Sequence, residues 1–283
     1  MMRIPDTSHS RGLAAARRTY TVRRRRLLWR GGPGDRGRAL LPVVFVLAFC
    51  CCAPGHTRDP APALASDRPG LGDGAWVLAP GSLQLEVGGR LREFGGTRGG
   101  EGTALVRRGL AAVELRLYLP SPLTLEGDDD GSDVQWGDLG LGVKLPAGSA
   151  AGWDWSIVAA GTVPTGSASV TADALTGFAT LVGETRLSDT VAFALNAGAA
   201  ASAASSDSSS LSLIPTFTWS VSDAVAFYGG YAGFYGPGDD EHWVEAGFAT
   251  AVSRNLQWDF NSAYDTGSGD WFVGIGFSRR WLP

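Results

Sequence analysis

The sequence of 283 residues has no apolar stretch long enough to cross a bilayer as a helix. Such a helix needs about 20 predominantly apolar residues. The longest apolar run, Leu40 to Ala53, is shorter and contains Pro42. No second run of this kind follows, so a helical multispan membrane protein is excluded. Charged residues are also sparse, at 18% of the chain against 10% aromatic residues. Because disorder requires many charges and few aromatics, we expect a packed structure.

Cysteine and lysine are nearly absent. The three cysteines stand together as Cys50, Cys51 and Cys52, and Lys144 is the only lysine. A chain that begins beyond these cysteines has no thiol, which suits an exported protein that uses neither disulfides nor thiol catalysis.

Charge is unevenly distributed along the chain. Residues 1–65 carry twelve arginines against three aspartates, a balance of +9, and the remainder carries 12 basic against 25 acidic groups, a balance of -13. A body with that negative charge repels a polyanion, so we expect no nucleic-acid partner.

The N-terminal region has the order of a secretory signal. Arg23 to Arg26 precede the apolar run, and the small residues Ala63-Leu64-Ala65 follow it. We therefore predict an N-terminal extension and signal peptide at 1–65, cleaved after Ala65, and a short periplasmic segment at 66–80. A lipoprotein signal is the alternative, but Phe49 precedes Cys50 where a small residue is normally required.

Apolar residues alternate with small or polar residues in segments of about ten residues, as in β-strands. In the last segment Trp271, Val273, Ile275 and Phe277 share one face. The pattern predicts twelve strands, approximately at 83–94, 103–109, 113–119, 138–145, 153–163, 177–187, 191–199, 211–221, 224–235, 242–252, 255–265 and 271–281.

The links between these strands are alternately tight and long. Tight links are predicted at 110–112, 188–189, 222–223 and 253–254, with a middling one at 146–152, and longer polar links at 95–102, 120–135, 164–175, 200–210, 236–241 and 266–270. Short periplasmic turns and longer external loops are typical of outer-membrane barrels. An open sheet edge would leave backbone groups without partners in lipid. We therefore predict an all-β fold at 81–283: a closed, up-and-down antiparallel outer-membrane β-barrel of about 12 strands.

The alternation also assigns side chains to the two faces of the wall. Inward-facing, lumen-lining polar residues are predicted to be Glu86, Arg90, Arg92, Arg107, Glu114, Arg116, Asp138, Lys144, Asp154, Glu184, Arg186, Glu245 and Asp259. Near-equal numbers of acids and bases indicate ion pairs, which either hold the wall together or line a permeation path. An aromatic girdle at the headgroups is predicted from Trp153, Trp155, Trp219, Trp243, Trp271 and Trp281, with Trp136 at a further strand end.

Residues that could carry out chemistry are few. His242 lies beside Asp239, Asp240 and Glu241, but no nucleophile motif accompanies it, so a catalytic triad is disfavoured. The acidic run 128–130 with Asp133 could ligate a divalent cation, although a solvated run of charges is the favoured interpretation. We expect no enzyme activity, no cofactor and no metal.

Four groups of segments carry a likeness to a known family, and they lie at 81–86, at 105–110 with 113–116, at 137–144, and at the C-terminal 245–247, 255–259 and 270–281. These segments resemble the bacterial outer-membrane transporter family of the MetA pathway of phenol degradation. Val163-Pro164-Thr165-Gly166-Ser167 is also similar to that family's central Pro-Thr-Gly element. The resemblance implies a barrel of about twelve strands, related to channels proposed to take up aromatic or other hydrophobic compounds. Two departures are Leu282-Pro283 after Trp281, where the family usually ends on an aromatic residue, and Arg108 in place of an aromatic.

These observations lead to two functional hypotheses. The first is a channel in the cell outer membrane for passive passage of small hydrophobic or aromatic solutes. The alternative is a plugged structural or adhesion-type barrel that acts through its external loops. The expected partners are outer-membrane lipid and lipopolysaccharide, the barrel-assembly machinery and a small-molecule solute.

Overall fold

The computed structural model describes residues 64–125, 134–204, 209–238 and 240–283. Nearly all of the predicted extension and signal, with Cys50 to Cys52, lies outside the described residues, as do the acidic run 128–130, Asp133 and Asp239. Within the described ranges, no helix is long and apolar enough to cross a membrane.

The described chain folds into fourteen β-strands. They are β1 (Leu83–Phe94), β2 (Thr97–Gly109), β3 (Glu114–Leu119), β4 (Pro122–Leu125), β5 (Gln135–Trp136), β6 (Leu139–Ala150), β7 (Trp153–Val163), β8 (Thr176–Arg186), β9 (Val191–Ser202), β10 (Ser210–Ser220), β11 (Val225–Tyr235), β12 (Glu241–Ser253), β13 (Leu256–Asp265) and β14 (Trp271–Trp281).

Twelve of these strands form a closed antiparallel wall. Strand β1 pairs with β2 on one side and with β14 on the other, so the sheet has no free edge there. Around the barrel the order is β1, β2, β3, β6 and then β7 to β14, each beside its neighbour in the chain. This confirms the predicted all-β, up-and-down barrel of twelve strands.

Strands β4 and β5 extend two wall strands at one end. Beyond β3, strand β4 continues the pairing with β2, through Glu101 opposite Leu123, after a one-residue shift in register. Strand β5 pairs with β4 in the same register in which β6 pairs with β3. Pro120 follows β3 directly, and proline lacks the N–H that a continuous ladder needs, so the interruption has a local cause.

Two links are shorter than predicted. The polar link expected at 95–102 is only Gly95-Gly96, with φ of 57° and 81°. The middling link expected at 146–152 is only Ala151-Gly152, with φ of 53° and 81°. Positive φ at both central residues is typical of the two-residue turn whose twist matches that of the flanking strands, and β2 and β6 are longer as a result.

The two ends of the barrel differ in their connections. One end carries the links β2–β3, β6–β7, β8–β9, β10–β11 and β12–β13, none longer than four residues, together with the C-terminus. We call it the periplasmic end, because short turns lie there in outer-membrane barrels, and the opposite end the loop end.

The outward face of the wall is apolar. Leu141, Leu211 and Ile275 expose 63%, 61% and 61% of their surface, although large aliphatic side chains are normally buried in a water-soluble protein. Charged side chains such as Arg107, Lys144 and Glu114 are instead inside. This inversion, on a closed barrel, is the arrangement of an outer-membrane protein.

Candidate functional site

The chain before β1 runs inside the barrel, and we call residues 64–80 the plug. Leu64 donates its N–H to the carbonyl of Arg254 at the periplasmic end, and Gly81 donates to Gly109 at the same end. Between these points the plug rises to Leu71, which packs against inward residues nearer the loop end. Residues 66–80, predicted as a short periplasmic segment, therefore lie mostly in the lumen.

The wall beside the plug contains a buried arginine between two carboxylates. Arg107 of β2 donates from Nη1 to Glu86 of β1 at 2.7 Å and from Nε to Glu114 of β3 at 2.7 Å. The side chains of all three are 1% exposed or less. Burying ions is costly unless each is paired, and here the pairing of the arginine is complete.

Asp67 of the plug joins this group of charges. Its carboxylate accepts from Lys144 Nζ at 3.0 Å and from Arg116 Nη1 at 2.6 Å, and it lies 3.3 Å from Arg107 Nη1. The three cations face only two wall carboxylates, Glu86 and Glu114, in this layer. Asp67 and Asp73 of the plug supply the further negative charge, since Asp73 Oδ1 lies 3.0 Å from Arg116 Nη2, so the plug completes the ion pairing of the wall.

Arg68 binds a different part of the wall. It donates from Nη2 and Nε to the two carboxylate oxygens of Asp259 on β13, at 3.1 and 3.3 Å, and from Nη1 to Thr103 on β2. A Cβ at Gly276 would lie 2.5 Å from Arg68 Nε, and one at Gly88 would also meet the guanidinium. These two glycines face each other on β1 and β14 and leave the space that Arg68 occupies.

The plug backbone is held by polar side chains of the wall. Leu71 N–H donates to Glu245 at 2.8 Å, Ala75 N–H to Glu184 at 3.1 Å and Leu78 N–H to Glu114 at 2.9 Å. Asn196 accepts from the N–H of Asp73 and donates to its carbonyl, both at 2.9 Å. Buried N–H groups need such partners, so the inward carboxylates fix the path of the plug.

Nearer the loop end, the lumen face becomes aromatic. Phe94, Trp243 and Phe272, which we call the inner aromatic cluster, have ring centroids 5.4 Å apart for the first pair and 6.0 Å for the second. Ile214 and Phe234 pack with them, and Leu71 of the plug contacts the same cluster. On the other side of the lumen Phe178 packs on Val158 and Val182. The lumen side is therefore densely charged towards the periplasmic end, and aromatic and aliphatic side chains gather towards the loop end.

Three charged residues adjoin the inner aromatic cluster. Arg90 donates from Nε and Nη2 to Glu101 Oε2 at 3.1 and 3.0 Å, and Arg92 donates from Nη1 to the same oxygen at 2.7 Å. The Arg90 guanidinium carbon lies 4.9 Å from the Phe272 centroid, and that of Arg92 lies 4.4 Å from the Phe94 centroid. Both distances are those of cation–π contacts.

Asp138 is not in the lumen but organises a loop. Situated between β5 and β6, it accepts hydrogen bonds from Thr165 N–H, Gly166 N–H, Thr171 Oγ1 and Ala172 N–H, at 2.8–3.0 Å. Partial burial acts to raise the pKa of Asp138, but these hydrogen bonds outweigh it and hold the pKa below its ordinary value of 3.8. The Pro-Thr-Gly segment is therefore fixed by this carboxylate.

Two further residues of the predicted inward set lie at the periplasmic rim. Asp154 is exposed and accepts from the Ser149 hydroxyl, and Arg186 is exposed as well. Neither is brought together with the charges around Asp67. The remaining ten residues of the predicted inward set lie on the lumen side, as described above.

The predicted girdle tryptophans divide between the two faces. Trp153 and Trp155 stack at 5.3 Å on the outer face, and Trp219 and Trp281 expose 55% and 44% of their surface. Trp243 is only 4% exposed and belongs to the inner aromatic cluster. Trp243 was predicted to lie in the girdle, but it faces the lumen, because it shares its face of β12 with Glu245, two positions away. Trp271 precedes the inward Phe272 on β14 and lies on the other face.

His242 lies on the outward face near the loop end. Its Nδ1 is 2.6 Å from the Tyr231 hydroxyl, and its ring contacts Tyr235 at 6.0 Å. Its side-chain partners are phenols, and among the described residues no serine hydroxyl is hydrogen-bonded to its ring. Across the described part of the chain, no three His, Cys, Asp or Glu side chains group together as metal ligands would.

Several polar residues of the lumen escaped sequence analysis. They are Asp67, Arg68, Asp73, Gln84, Glu101, Asn196 and Asn261. The acid-base pair Asp67-Arg68, in the segment that precedes the first strand, was the available signal, but a short polar segment there is equally typical of a periplasmic extension.

Comparison with known families gives one match that covers the barrel and most of the plug. The sequence profile described as "Putative MetA-pathway of phenol degradation" matches residues 66–281. A search of curated proteins found no sequence match.

Comparison with solved structures finds similar barrels. An outer membrane channel from Pseudomonas putida F1 is 13% identical, with a TM-score of 0.61 over 76% of this chain and 99% of that chain. The KdgM porin is 8% identical, with a TM-score of 0.53 over 69% of this chain and 98% of that chain. The NanC porin is 10% identical, with a TM-score of 0.52 over the same shares. At these identities the likeness establishes the fold.

Proposed function

Because the chain belongs to the family of the MetA pathway of phenol degradation, we propose that it is an outer-membrane channel for passive passage of small hydrophobic or aromatic solutes. The likeness to an outer membrane channel and to two porins supports passage of solutes through the barrel. The proposed role involves no chemical step.

The observation that carries the solute class is the apolar lining of the loop end. A general pore for hydrophilic solutes has a polar lumen along its length. Here Phe94, Trp243, Phe272 and Phe178 lie on the lumen side towards the loop end, in two clusters of packed apolar side chains. Apolar and aromatic solutes lose unfavourable contact with water on entering such a surface, whereas sugars lose hydrogen bonds.

A solute can pass through the periplasmic half of the lumen only if the plug moves. It is attached largely by ion pairs and by hydrogen bonds to wall side chains, through Asp67, Arg68, Leu71 and Asp73. Such contacts can be exchanged without breaking the strand ladder of the wall. We infer that a solute leaves the inner aromatic cluster past a displaced plug.

Passage is tested by reconstitution into vesicles whose outer leaflet is lipopolysaccharide, which slows leakage of apolar solutes through the lipid. Entry of benzyl alcohol is compared with entry of arabinose, in vesicles with and without the protein. We expect protein-dependent entry of benzyl alcohol that exceeds entry of arabinose. Absence of protein-dependent entry of every solute, together with absence of ionic conductance in planar bilayers, would refute the channel and favour a structural barrel.

We also propose three partners from its place in the outer membrane. Lipid contacts the apolar outward face, lipopolysaccharide contacts the loop end, and the barrel-assembly machinery inserts the chain. Cross-linking in cells from the exposed position Trp281, beside the C-terminus, tests the last of these.

A further inference from the structure

Two buried side chains of β1, beside the start of the plug, have acceptor atoms that are not used. Gln84 Oε1 and Glu86 Oε2 make no hydrogen bond to any described residue, and the two residues are 0% and 2% exposed. A buried carboxylate oxygen without a partner is costly, because it has lost its hydration and nothing replaces it. These two acceptors therefore need a donor beside β1.

The plug backbone passes these acceptors at residues 65–67. The Ala65 carbonyl accepts from Gln84 Nε2 at 3.0 Å. The Asp67 N–H donates to Glu86 Oε1 at 3.4 Å. Since consecutive backbone nitrogens are about 3 Å apart, Ser66 N lies within about 7 Å of the Glu86 carboxylate. Rotation about the Ser66 backbone bonds can close such a gap once the nitrogen is released from Ala65.

The side chain of Ser66 holds this residue in place independently of the preceding chain. Its hydroxyl lies 2.7 Å from Ser278 Oγ and accepts from the Arg68 N–H at 3.0 Å. Ser278 is directly opposite Glu86 in the pairing of β14 with β1. Because neither contact involves residues before 66, both persist when that part of the chain is removed.

The ion-paired group around Asp67 has more carboxylates than cations. Its three cations and four carboxylates are joined by ion pairs of 2.6–3.3 Å, and they are Arg107, Arg116 and Lys144 with Glu86, Glu114, Asp67 and Asp73. Arg68 beside the group is balanced by Asp259, and Arg280 is directed to the β12–β13 turn. One further cation at Glu86 would therefore equalise the charges of the group.

We propose that cleavage after Ala65 supplies this cation, as the new α-ammonium of Ser66. Hydrolysis places a hydroxyl on the Ala65 carbonyl carbon and a hydrogen on Ser66 N, which then takes up a proton from water. The ammonium pairs with Glu86 Oε2 and donates a hydrogen bond to Gln84 Oε1. Its three donors are enough for both acceptors.

The wall tolerates the loss of Ala65. Gln84 Nε2 and Arg107 Nη1 both donate to the Ala65 carbonyl, and each also donates to Glu86 Oε1. Both donors therefore keep an acceptor after cleavage. An uncleaved chain has an uncharged amide at Ser66 and cannot form the ion pair, so the plug is fully anchored only after the signal is removed. This holds whether or not the barrel passes solutes.

The N-terminus and its position are measured on protein purified from outer membranes. Intact mass spectrometry should show a chain that begins at Ser66, and any other first residue, including a lipidated one among Cys50 to Cys52, overturns the proposal. A crystal structure of the same protein should place Ser66 N about 3 Å from Glu86 Oε2. A separation of more than about 4 Å overturns the ion pair.

Amine labelling tests the ion pair in lipid vesicles. From Ser66 onward the chain has two amino groups, the α-amine and Lys144 Nζ, so peptide mapping by mass spectrometry follows both. With an acetyl N-hydroxysuccinimide ester, the α-amine of the folded protein should react at least about tenfold more slowly than that of the chain unfolded in urea, the size of one charge-assisted hydrogen bond. Equal rates overturn the proposal, and neither this measurement nor the crystal structure depends on the folding of a variant.

The variant Glu86→Gln should accelerate labelling of the α-amine about tenfold. Glu114→Gln is the matched control, because Glu114 also pairs with Arg107 and also accepts from a plug N–H, that of Leu78, but makes no contact with Ser66. The rate at Lys144 reports any general loosening of the plug in both variants. No acceleration in Glu86→Gln, or equal acceleration in the two variants, overturns the pairing of Glu86 with the α-ammonium.

Discussion

Asp67 Oδ1 lies 3.0 Å from Lys144 Nζ, although 77 residues separate them in the chain. The next residue, Arg68, pairs with Asp259 on another part of the wall. Asp67 thus binds a cation of the wall, and Arg68, the next residue in the chain, binds a carboxylate of the wall. This complementarity fixes the plug in one orientation, because exchanging the two contacts would place like charges together.

The first prediction concerns the attachment of the plug through Asp67. Asp67→Asn removes the carboxylate that pairs with Lys144 and leaves Arg107 and Arg116 with Glu86, Glu114 and Asp73. Removing one partner of a buried ion pair costs about 3 kcal/mol or more, so the population with a displaced plug should rise by about a hundredfold. Single-channel recording in planar bilayers should show larger and more frequent open levels.

The control for this variant is Asp154→Asn, which removes an exposed inward acid at the periplasmic rim. It should leave the conductance unchanged. Equal conductance of Asp67→Asn and wild type would mean that the plug does not limit the current.

The second prediction concerns the space for Arg68. Gly276→Val places a side chain where the Arg68 guanidinium lies, so Arg68 leaves Asp259 and a buried carboxylate loses its partner. We expect a loss of about 3 kcal/mol in the free energy of unfolding, measured by urea in lipid vesicles. Gly89→Val is the matched control, because the nearest atom to a Cβ there is a carbonyl oxygen at 3.9 Å.

A double-mutant cycle checks this mechanism. In an Asp259→Asn background the ion pair is already absent, so Gly276→Val should have a much smaller effect. Additive losses from the two substitutions would show that the valine acts through something other than Arg68.

Most of the barrel was predictable because the alternation of apolar and polar residues marks the wall strands, and the lengths of the links mark their order. The bounds of β1, β7 and β14 were predicted to the residue. The start of β2, Thr97 to Gly102, was predicted as a link because it is rich in glycine and charge, and its strand pairing comes from the Gly95-Gly96 turn instead of from its composition.

The site was less predictable for a different reason. Alternation identified Arg107, Glu114 and Lys144 as inward, but it cannot say what fills the space between them. The plug has no periodic pattern, and its position depends on matching single charges across long sequence separations, such as that from Asp67 to Lys144. Trp243 shows the same limit, since its place near a strand end suggested lipid headgroups although its face is that of Glu245.

The third prediction concerns pH and the loop held by Asp138. Its pKa in the folded protein lies below its ordinary value of 3.8, so the ionised form stabilises the loop. That stabilisation is complete at neutral pH and is lost as the pH falls through the lowered pKa. Hydrogen exchange of the amides of Gly166 and Ala172, corrected for intrinsic rates, should accelerate below pH 3.8.

Asp138→Asn should show fast exchange at these amides already at neutral pH, with no further acceleration on acidification. Asp173→Asn, an exposed change on the same loop, is the control and should retain the wild-type profile. A wild-type profile in Asp138→Asn would mean that the carboxylate does not hold the loop.

The fourth prediction compares two tryptophans on opposite faces of the wall. Trp243 is 4% exposed and its ring contacts Phe94 and Phe272, whereas Trp219 is 55% exposed on the outer face. Trp243→Ala leaves a cavity in the inner aromatic cluster and should lower the free energy of unfolding by about 3 kcal/mol, while Trp219→Ala should cost clearly less. Urea unfolding in lipid vesicles measures both. Greater loss of stability in Trp219→Ala than in Trp243→Ala would place the energetic weight on the lipid-facing girdle instead of the lumen.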